Sequence, residues 1–356
     1  MSDVRGLLAA LDRRPASVAV GGHAIRLTHL DRVYWPANAG QPAISKLDLI
    51  RHFATLSPRM LPHLRDRPLT LFRWPGGITG RRILVKHPEL ALPPFVETAT
   101  IFSESKAADD DYLLCNNLAT LVWLAEMGFL EIHAWHSRVR AGDGAAAGRP
   151  PGSGSAARLA DAAVNFPDYL LFDVDPYLYA GSETKGREPE PNRAGFAQGK
   201  RVARWLKDVL DGMALRSVVK TSGKTGLHVA LPIVPTLRYD VVRGVARTIC
   251  RHLESEHADE ITTEWSTGKR TGKVFLDFNI NVRGKSIIAP YAPRGLPGAP
   301  VSMPLAWRDL ATAEPLQFTI ATLAVKRTRS DPWSALLDQP QSLEAALASM
   351  RARQRA

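Results

Sequence analysis

The stretch Asp168-Tyr-Leu-Leu-Phe-Asp-Val-Asp-Pro176 constrains the fold more than any other part of the chain. Its apolar run, Tyr169 to Phe172, reads as a buried strand, and Pro176 ends it. Strand side chains alternate between faces, so Asp173 and Asp175 share one face while Val174 enters the opposite layer. Two carboxylates on one face repel each other unless a cation sits between them, and hard oxygen ligands suit Mg²⁺ or Mn²⁺. The pair has the form of half of a two-metal phosphoryl-transfer site. A strand end with two solvated acids is the simpler account of an isolated Asp-x-Asp, so the rest of the chain must decide.

A length of 356 residues, 45% hydrophobic and 23% charged, suits one large or two ordinary globular domains. The formal net charge of +11 favours a polyanionic partner, most simply nucleic acid, although free use of Arg by a GC-rich genome would give the same surplus. The two cysteines, Cys115 and Cys250, lie in apolar sequence and are expected to be buried free thiols. No apolar segment approaches a membrane span and the N-terminus has no signal-peptide core, so a soluble, intracellular protein without membrane contact is expected.

Residues 1–23 carry a short amphipathic piece (Leu7, Leu8, Leu11) and read as a loose arm. Ser45 is a good N-cap for a helix through Leu56, with Pro58 and Pro62 expected to interrupt it. Strands are expected at Pro68–Trp74, Arg81–His87 and Leu130–Trp135, and the acids 109–111 are expected to open a helix over Asn116–Met127. Gly, Ala, Pro and Ser fill 141–157, a flexible insertion. Beyond it come a polar loop at 177–195, helices near Phe196–Asp211 and Tyr239–His257, and strands at Val218, Leu227–Leu231, Lys273–Asn279 and Ser286–Pro290. Strands joined by both hairpins and helices indicate a mixed α+β sheet. The layout expected is the arm 1–23, a domain at 24–325 divided into 24–140 and 158–325, and a tail at 326–356 whose last residues, about 341–356, form an Ala/Arg-rich helix or frayed end.

Three further features carry chemistry. Thr221-Ser-Gly-Lys-Thr-Gly226 joins two apolar strands and offers Ser222, Lys224 and glycine N–H groups as a phosphate nest; a tight turn that happens to carry Lys is the equal alternative. It is not a Walker A loop, because residue 218 is Val where that motif needs Gly and a strand follows where a helix should. His228, on the exiting strand, could donate to a phosphate oxygen. Asp277 interrupts the apolar strand Val274-Phe-Leu-Asp-Phe, where an unpaired carboxylate would be costly, so it calls for a cation: a metal shared with Asp173 and Asp175, or an arginine. Arg270, Arg283, Lys285 and Arg294 could supply positive charge for a triphosphate.

The ordered set Phe-Asp-Val-Asp-Pro176, Lys220-Thr-Ser-Gly-Lys-Thr-Gly-Leu-His-Val229, Val274-Phe-Leu-Asp-Phe278 and Ala289-Pro-Tyr-Ala-Pro-Arg294 resembles the polymerase domain of bacterial DNA ligase D, of the archaeo-eukaryotic primase superfamily. Flanking text agrees at Leu27–Pro36, Met60–Leu71, Met127–Trp135 and Pro297–Ser302, so the resemblance spans about 24–325. It implies a primase-like fold, with sheets flanked by helices and a catalytic cleft between two sub-domains. It implies a metal-dependent nucleotidyltransferase, a primase-polymerase that extends or fills primer ends at DNA breaks, gaps and overhangs with a preference for ribonucleotides. Asp173, Asp175 and Asp277 would hold two ions, Mn²⁺ or Mg²⁺. Ser222, Lys224, His228, His133, Arg270 and Arg294 would hold the NTP or dNTP, and Lys46 with Arg32 the 5′-phosphate of a broken end. The partners implied are Ku and an ATP-dependent DNA ligase, in the bacterial cytoplasm at the nucleoid.

The chain departs from that pattern at Thr225, where relatives place the loop lysine one residue after Lys224, and at Ile83-Leu84, where many carry a template-stacking aromatic pair. Ile280 stands where relatives have a polar residue, and the insertion at 141–157 is long. Two rivals remain at this stage: a non-catalytic DNA-end-binding subunit and a primer-independent primase.

Overall fold

The computed structural model of the protein describes residues 2–89, 91–140, 159, 161–177, 193–325 and 331–353. The insertion at 141–157, most of the polar loop at 177–195 and the ends of the tail lie outside the described residues.

Helix α1 (Ser2–Leu11) is followed by the hairpin β1 (Ser17–Val20) and β2 (His23–Arg26). Leu7 and Leu11 of α1 are buried in the main core, so the first residues are packed where the sequence suggested a loose arm. The pair β3 (Val33–Trp35) and β4 (Ile44–Ser45) leads into α2 (Lys46–Leu64). Ser45 caps α2 as expected: its hydroxyl accepts from the Asp48 N–H while the Asp48 carboxylate accepts from the Ser45 N–H.

The helix does not stop at its prolines. Pro58 has no N–H to offer the carbonyl of Ala54, and the Ser57 hydroxyl donates to that oxygen instead, at 2.8 Å. Burial of Phe53, Ala54, Met60 and Leu64 supplies the packing that holds both turns helical.

The first sheet is built next. It takes β5 (Leu69–Arg73) and β6 (Ile83–Val85), then, after the separate hairpin β7 (Thr98–Ser103) and β8 (Ala108–Leu113), helix α3 (Leu118–Glu126) and β9 (Phe129–Trp135). The acids 109–111 therefore lie on strand β8, not at a helix N-terminus. Cross-strand pairing with β7 wins there, and Asn117 is the N-cap of α3 through the Thr120 N–H.

The second half begins with β10 (Tyr169–Asp175), α4 (Arg193–Gly212), β11 (Val218–Thr221), β12 (Leu227–Pro232), α5 (Tyr239–Glu256), β13 (Ile261–Thr262) and β14 (Val274–Asp277). It closes with β15 (Ser286–Ile288), β16 (Pro304–Leu305), α6 (Ile320–Val325), α7 (Ser334–Leu337) and α8 (Leu343–Arg353).

Six strands form one sheet in the order β13-β14-β10-β12-β11-β16, antiparallel except for the parallel β13–β14 pair. Four form another, β15-β9-β5-β6. This is the mixed α+β architecture expected from the mix of hairpins and helical connections.

Helices α4 and α5 cover one face of the six-stranded sheet. Their buried residues recur at helical spacing, Val202, Leu206 and Leu210 in one and Val242, Ala246, Ile249 and Leu253 in the other. A Cβ added at Gly199 would lie 3.9 Å from Val174, so Val174 points to the helices and its two acidic neighbours point away from them.

Candidate active site

The carboxylates meet because of strand register. Asp173 of β10 is directly opposite Asp277 of β14 on one side and His228 of β12 on the other, and His228 is opposite Lys220 of β11. Residues directly opposite share a face, so four chemistry-bearing side chains form a row across the sheet. Asp175 lies two residues along the same face, across from Phe275.

The row is graded in charge, with acids at one end and bases at the other. Burial, reinforced by the charges of Asp175 and Asp277, pushes the Asp173 carboxyl up to about 8. Asp277 is raised as well, by burial, although its carboxylate accepts from the Asn279 N–H at 2.6 Å. Lys220 is fully buried; its ammonium lies 2.6 Å from His228 Nδ1 and donates to Ser302 Oγ at 2.6 Å. Burial and the charge of Arg294 bring its pKa well below that of a free lysine. His228 Nδ1 faces Lys220, and its Nε2 sits 3.5 Å from Asp173 Oδ1. Burial, with Lys220 and Arg294 nearby, keeps that imidazole neutral.

The turn between β11 and β12 is pressed against this row. Ser222 Oγ accepts from the N–H groups of Lys224 and Gly226, so one of the glycine amides expected to cradle a phosphate already closes the turn. Gly223 has φ +72°, and a Cβ there would fall 2.8 Å from Arg294 and 2.9 Å from the Ser302 N–H; only glycine fits. A Cβ at Gly226 would meet the Val174 carbonyl at 2.9 Å. Lys224 turns aside, its ammonium 5.1 Å from the centre of the Tyr177 ring.

The second sheet supplies the opposite wall. Glu131 and His133 of β9 bond at 3.0 Å, and Glu131 also approaches Arg294 at 3.4 Å and accepts from the Gly295 N–H at 2.9 Å. Burial favours the neutral form of Glu131, but His133 and Arg294 outweigh it and hold the carboxyl below its usual range. Burial lowers His133. Arg294 Nε is buried with no acceptor among the described residues, a donor left for a ligand.

The remaining candidates divide. Arg270 is buried, stacks 3.5 Å over Phe275 and donates to the carbonyls of Glu264 and Trp265, so it acts on Asp277 through its field. Arg283 is taken by Glu104 and Asn165. Lys46 and Arg32 are brought together by the Lys46 N–H donating to the Arg32 carbonyl at 2.8 Å. The Lys46 side chain, however, is 4% exposed and held by Glu126 at 2.8 Å, so a phosphate could reach it only by displacing that carboxylate. Exposed Arg32 donates to the Pro75 carbonyl.

Sequence reasoning missed Lys220, Glu131 and Ser302. The signal that singled out Asp277, a charge inside an apolar strand, was present for Lys220 in Val-Val-Lys-Thr and for Glu131 in Phe-Leu-Glu-Ile. Nothing comparable marked Ser302.

Among the described residues no three His, Cys, Asp or Glu side chains already stand as a closed metal-ligand set. The chemistry of the donor set nonetheless fits a divalent ion. Three hard carboxylates share one sheet face, and the burial and mutual repulsion that raise Asp173 are what a cation would offset. No helix of the described residues is long and apolar enough to cross a membrane.

A family described as the LigD primase-polymerase domain matches residues 45–333. The multifunctional non-homologous end joining DNA repair protein LigD of Mycobacterium tuberculosis is 29% identical over 286 residues, 80% of this chain and 33% of that protein. The bifunctional non-homologous end joining protein LigD of Bacillus subtilis is 24% identical over 330 residues, 88% of this chain and 46% of that protein. The chain thus spans about a third of the length of its mycobacterial relative. In three dimensions it is similar to the polymerase domain of M. tuberculosis ligase D in complex with DNA, with a TM-score of 0.71 and 26% identity, covering 89% of this chain and 99% of that one.

Proposed function

The chain belongs to the family of the LigD primase-polymerase domain, and from that membership we propose that it is a metal-dependent nucleotidyltransferase that extends or gap-fills primer ends at DNA breaks. The observation that carries the reading is the register: Asp173 and Asp277 face each other across adjacent strands, Asp175 shares their face, and His228 with Lys220 continues the row on the other side.

Asp173, Asp175 and Asp277 would hold two divalent ions, Mn²⁺ or Mg²⁺, which lower the pKa of a primer 3′-hydroxyl and offset charge on the departing pyrophosphate. The chain's own residues do the rest by placement. His228 places Nε2 beside the carboxylates, within reach of a phosphate oxygen to which an Nε2–H would donate, and Lys220 holds the ring through Nδ1. Arg294, whose buried Nε has no acceptor among the described residues, and Ser222 would meet the triphosphate, while Glu131 orients Arg294 and His133 against the nucleotide. Lys224 would join them only by leaving Tyr177, and Arg270 holds the carboxylate end of the face from behind Phe275.

Arg32 is the surface member of the 5′-phosphate pocket, and Lys46 would contribute by exchanging Glu126 for phosphate. The substrate proposed is a broken, gapped or overhanging DNA end with ribonucleotides preferred, and the partners proposed are Ku and an ATP-dependent ligase in end joining at the nucleoid.

The test is extension of a labelled primer across a short 5′-phosphorylated gap, comparing NTPs with dNTPs and Mn²⁺ with Mg²⁺. Native protein is expected to add nucleotides only with a divalent ion, and Asp173→Ala to add none. Binding without addition under any metal would sink the enzymatic reading in favour of an end-binding subunit. Synthesis on a template lacking primer would instead identify a primase.

A further inference from the structure

The loop between β13 and β14 ends at the strand that delivers Asp277, and it carries Trp265, which is 66% exposed. No other exposed large apolar residue among those described is as open to solvent. Its position is held nonetheless. The Trp265 carbonyl accepts from Arg270 Nη2 at 2.6 Å, and its ring meets Phe275 at 5.9 Å with the two planes at 76°. Phe275 is directly opposite Asp175 and lies two residues before Asp277, so its side chain is on the carboxylate face. Trp265 therefore stands at the edge of that face, on the side away from the turn at 221–226, His228 and Arg294. Two cations lie at the preceding residue: Lys269 and Arg251, the latter also paired with Glu254, approach Glu264 at 3.4 and 3.8 Å.

We propose that Trp265 is a stacking platform for an unpaired base of the DNA strand entering the catalytic face beside Asp175, with Lys269 and Arg251 near its phosphates. The proposal rests on the nucleotidyl-transfer reading. In that reading the triphosphate of the incoming nucleotide occupies the His228–Arg294 side, which leaves the Trp265 side to the nucleic acid. An indole offers every base a π-face at small conformational cost, and cations beside it take up the backbone charge.

The test is fluorescence anisotropy of labelled duplexes with a single-stranded thymine overhang, and of the same duplexes with an abasic overhang. Trp265→Ala is expected to weaken binding of the thymine overhang about 5- to 160-fold, the range for loss of one base–aromatic stack. Trp265→Phe is expected to recover most of that loss, and on the abasic overhang native protein and Trp265→Ala are expected to bind alike. Equal binding of the thymine overhang by native and Ala proteins overturns the proposal while leaving the polymerase reading intact, as does an Ala-sized loss in the Phe variant. A loss confined to NTP affinity overturns the assignment to the strand. Native protein that binds no DNA overturns both readings.

Discussion

Asp173 stands where three influences converge: burial, the like charges of Asp175 and Asp277, and the weaker opposing pull of Lys220 and Arg294. Its carboxyl titrates at about 8 in the native protein but in the ordinary carboxylate range once unfolded. Between those limits the native state keeps a proton that the unfolded chain has lost, so this group lowers stability as pH rises through the window. In metal-free solution Asp173→Asn is therefore expected to melt at a higher temperature than the native protein at pH 8. The gap should close as pH falls towards 4. Added Mn²⁺ should raise the melting temperature of the native protein and leave the variant unmoved. Thermal denaturation across that range checks all three, in chelator for the first two and in chelator-free buffer with Mn²⁺ for the third. Lys220 shows the same physics with the opposite charge. Burial alone would make it a poor ammonium, and it is kept in place by two short contacts, to His228 and Ser302.

At the scale of elements, α2 shows how a helix survives its own sequence. Pro58 removes one backbone donor, and the buried Ser57 hydroxyl replaces it at the Ala54 carbonyl. Ser57→Ala is expected to destabilise the protein by about 1 kcal/mol, the usual worth of one such bond. In a Pro58→Ala background the restored N–H can serve Ala54, so the same Ser57→Ala change should then have little effect. Urea denaturation of the four proteins measures the coupling; equal losses in both backgrounds would rule out this role for Ser57. Helix α2 also begins at a buried ion pair, Lys46–Glu126, which joins it to the end of α3 and restrains a lysine otherwise suited to phosphate.

Across the whole molecule, the two sheets are joined at the entrance to β10. Asp168 accepts from Arg67 at 2.6 Å and from Arg138 at 2.9 Å, and Arg67 also donates to the Trp135 carbonyl at the end of β9. Burial would raise the Asp168 carboxyl, but the two guanidiniums outweigh it and hold it low. Asp168→Ala would leave Arg67 buried without its counter-charge, an expected loss of about 3–5 kcal/mol measured by urea denaturation. Because the carboxyl is depressed, its contribution is present above the ordinary carboxylate range and is lost as the solution is acidified, so native and variant should converge at low pH.

Much of this site was legible in the sequence because its signals are local. Period-two alternation put Asp173 and Asp175 on one face, and a charge in an apolar strand singled out Asp277. The Ser45 cap is a contact within four residues, and the small residues of 221–226 foretold the turn. Where local signals compete, the sequence misled: a row of acids was as good a helix start as a strand, and two prolines looked like a stop. The row Asp277–Asp173–His228–Lys220 depends on how four strands from distant parts of the chain are aligned. A shift of one residue in any of them would turn its side chain to the helix-covered face. The partners of Lys46, Lys224 and Arg283 were likewise decided by tertiary structure, because a long flexible cation takes whichever carboxylate or ring the fold brings near it. The residue types and their spacing set the chemistry available to this chain; strand register and packing decided which of those groups meet.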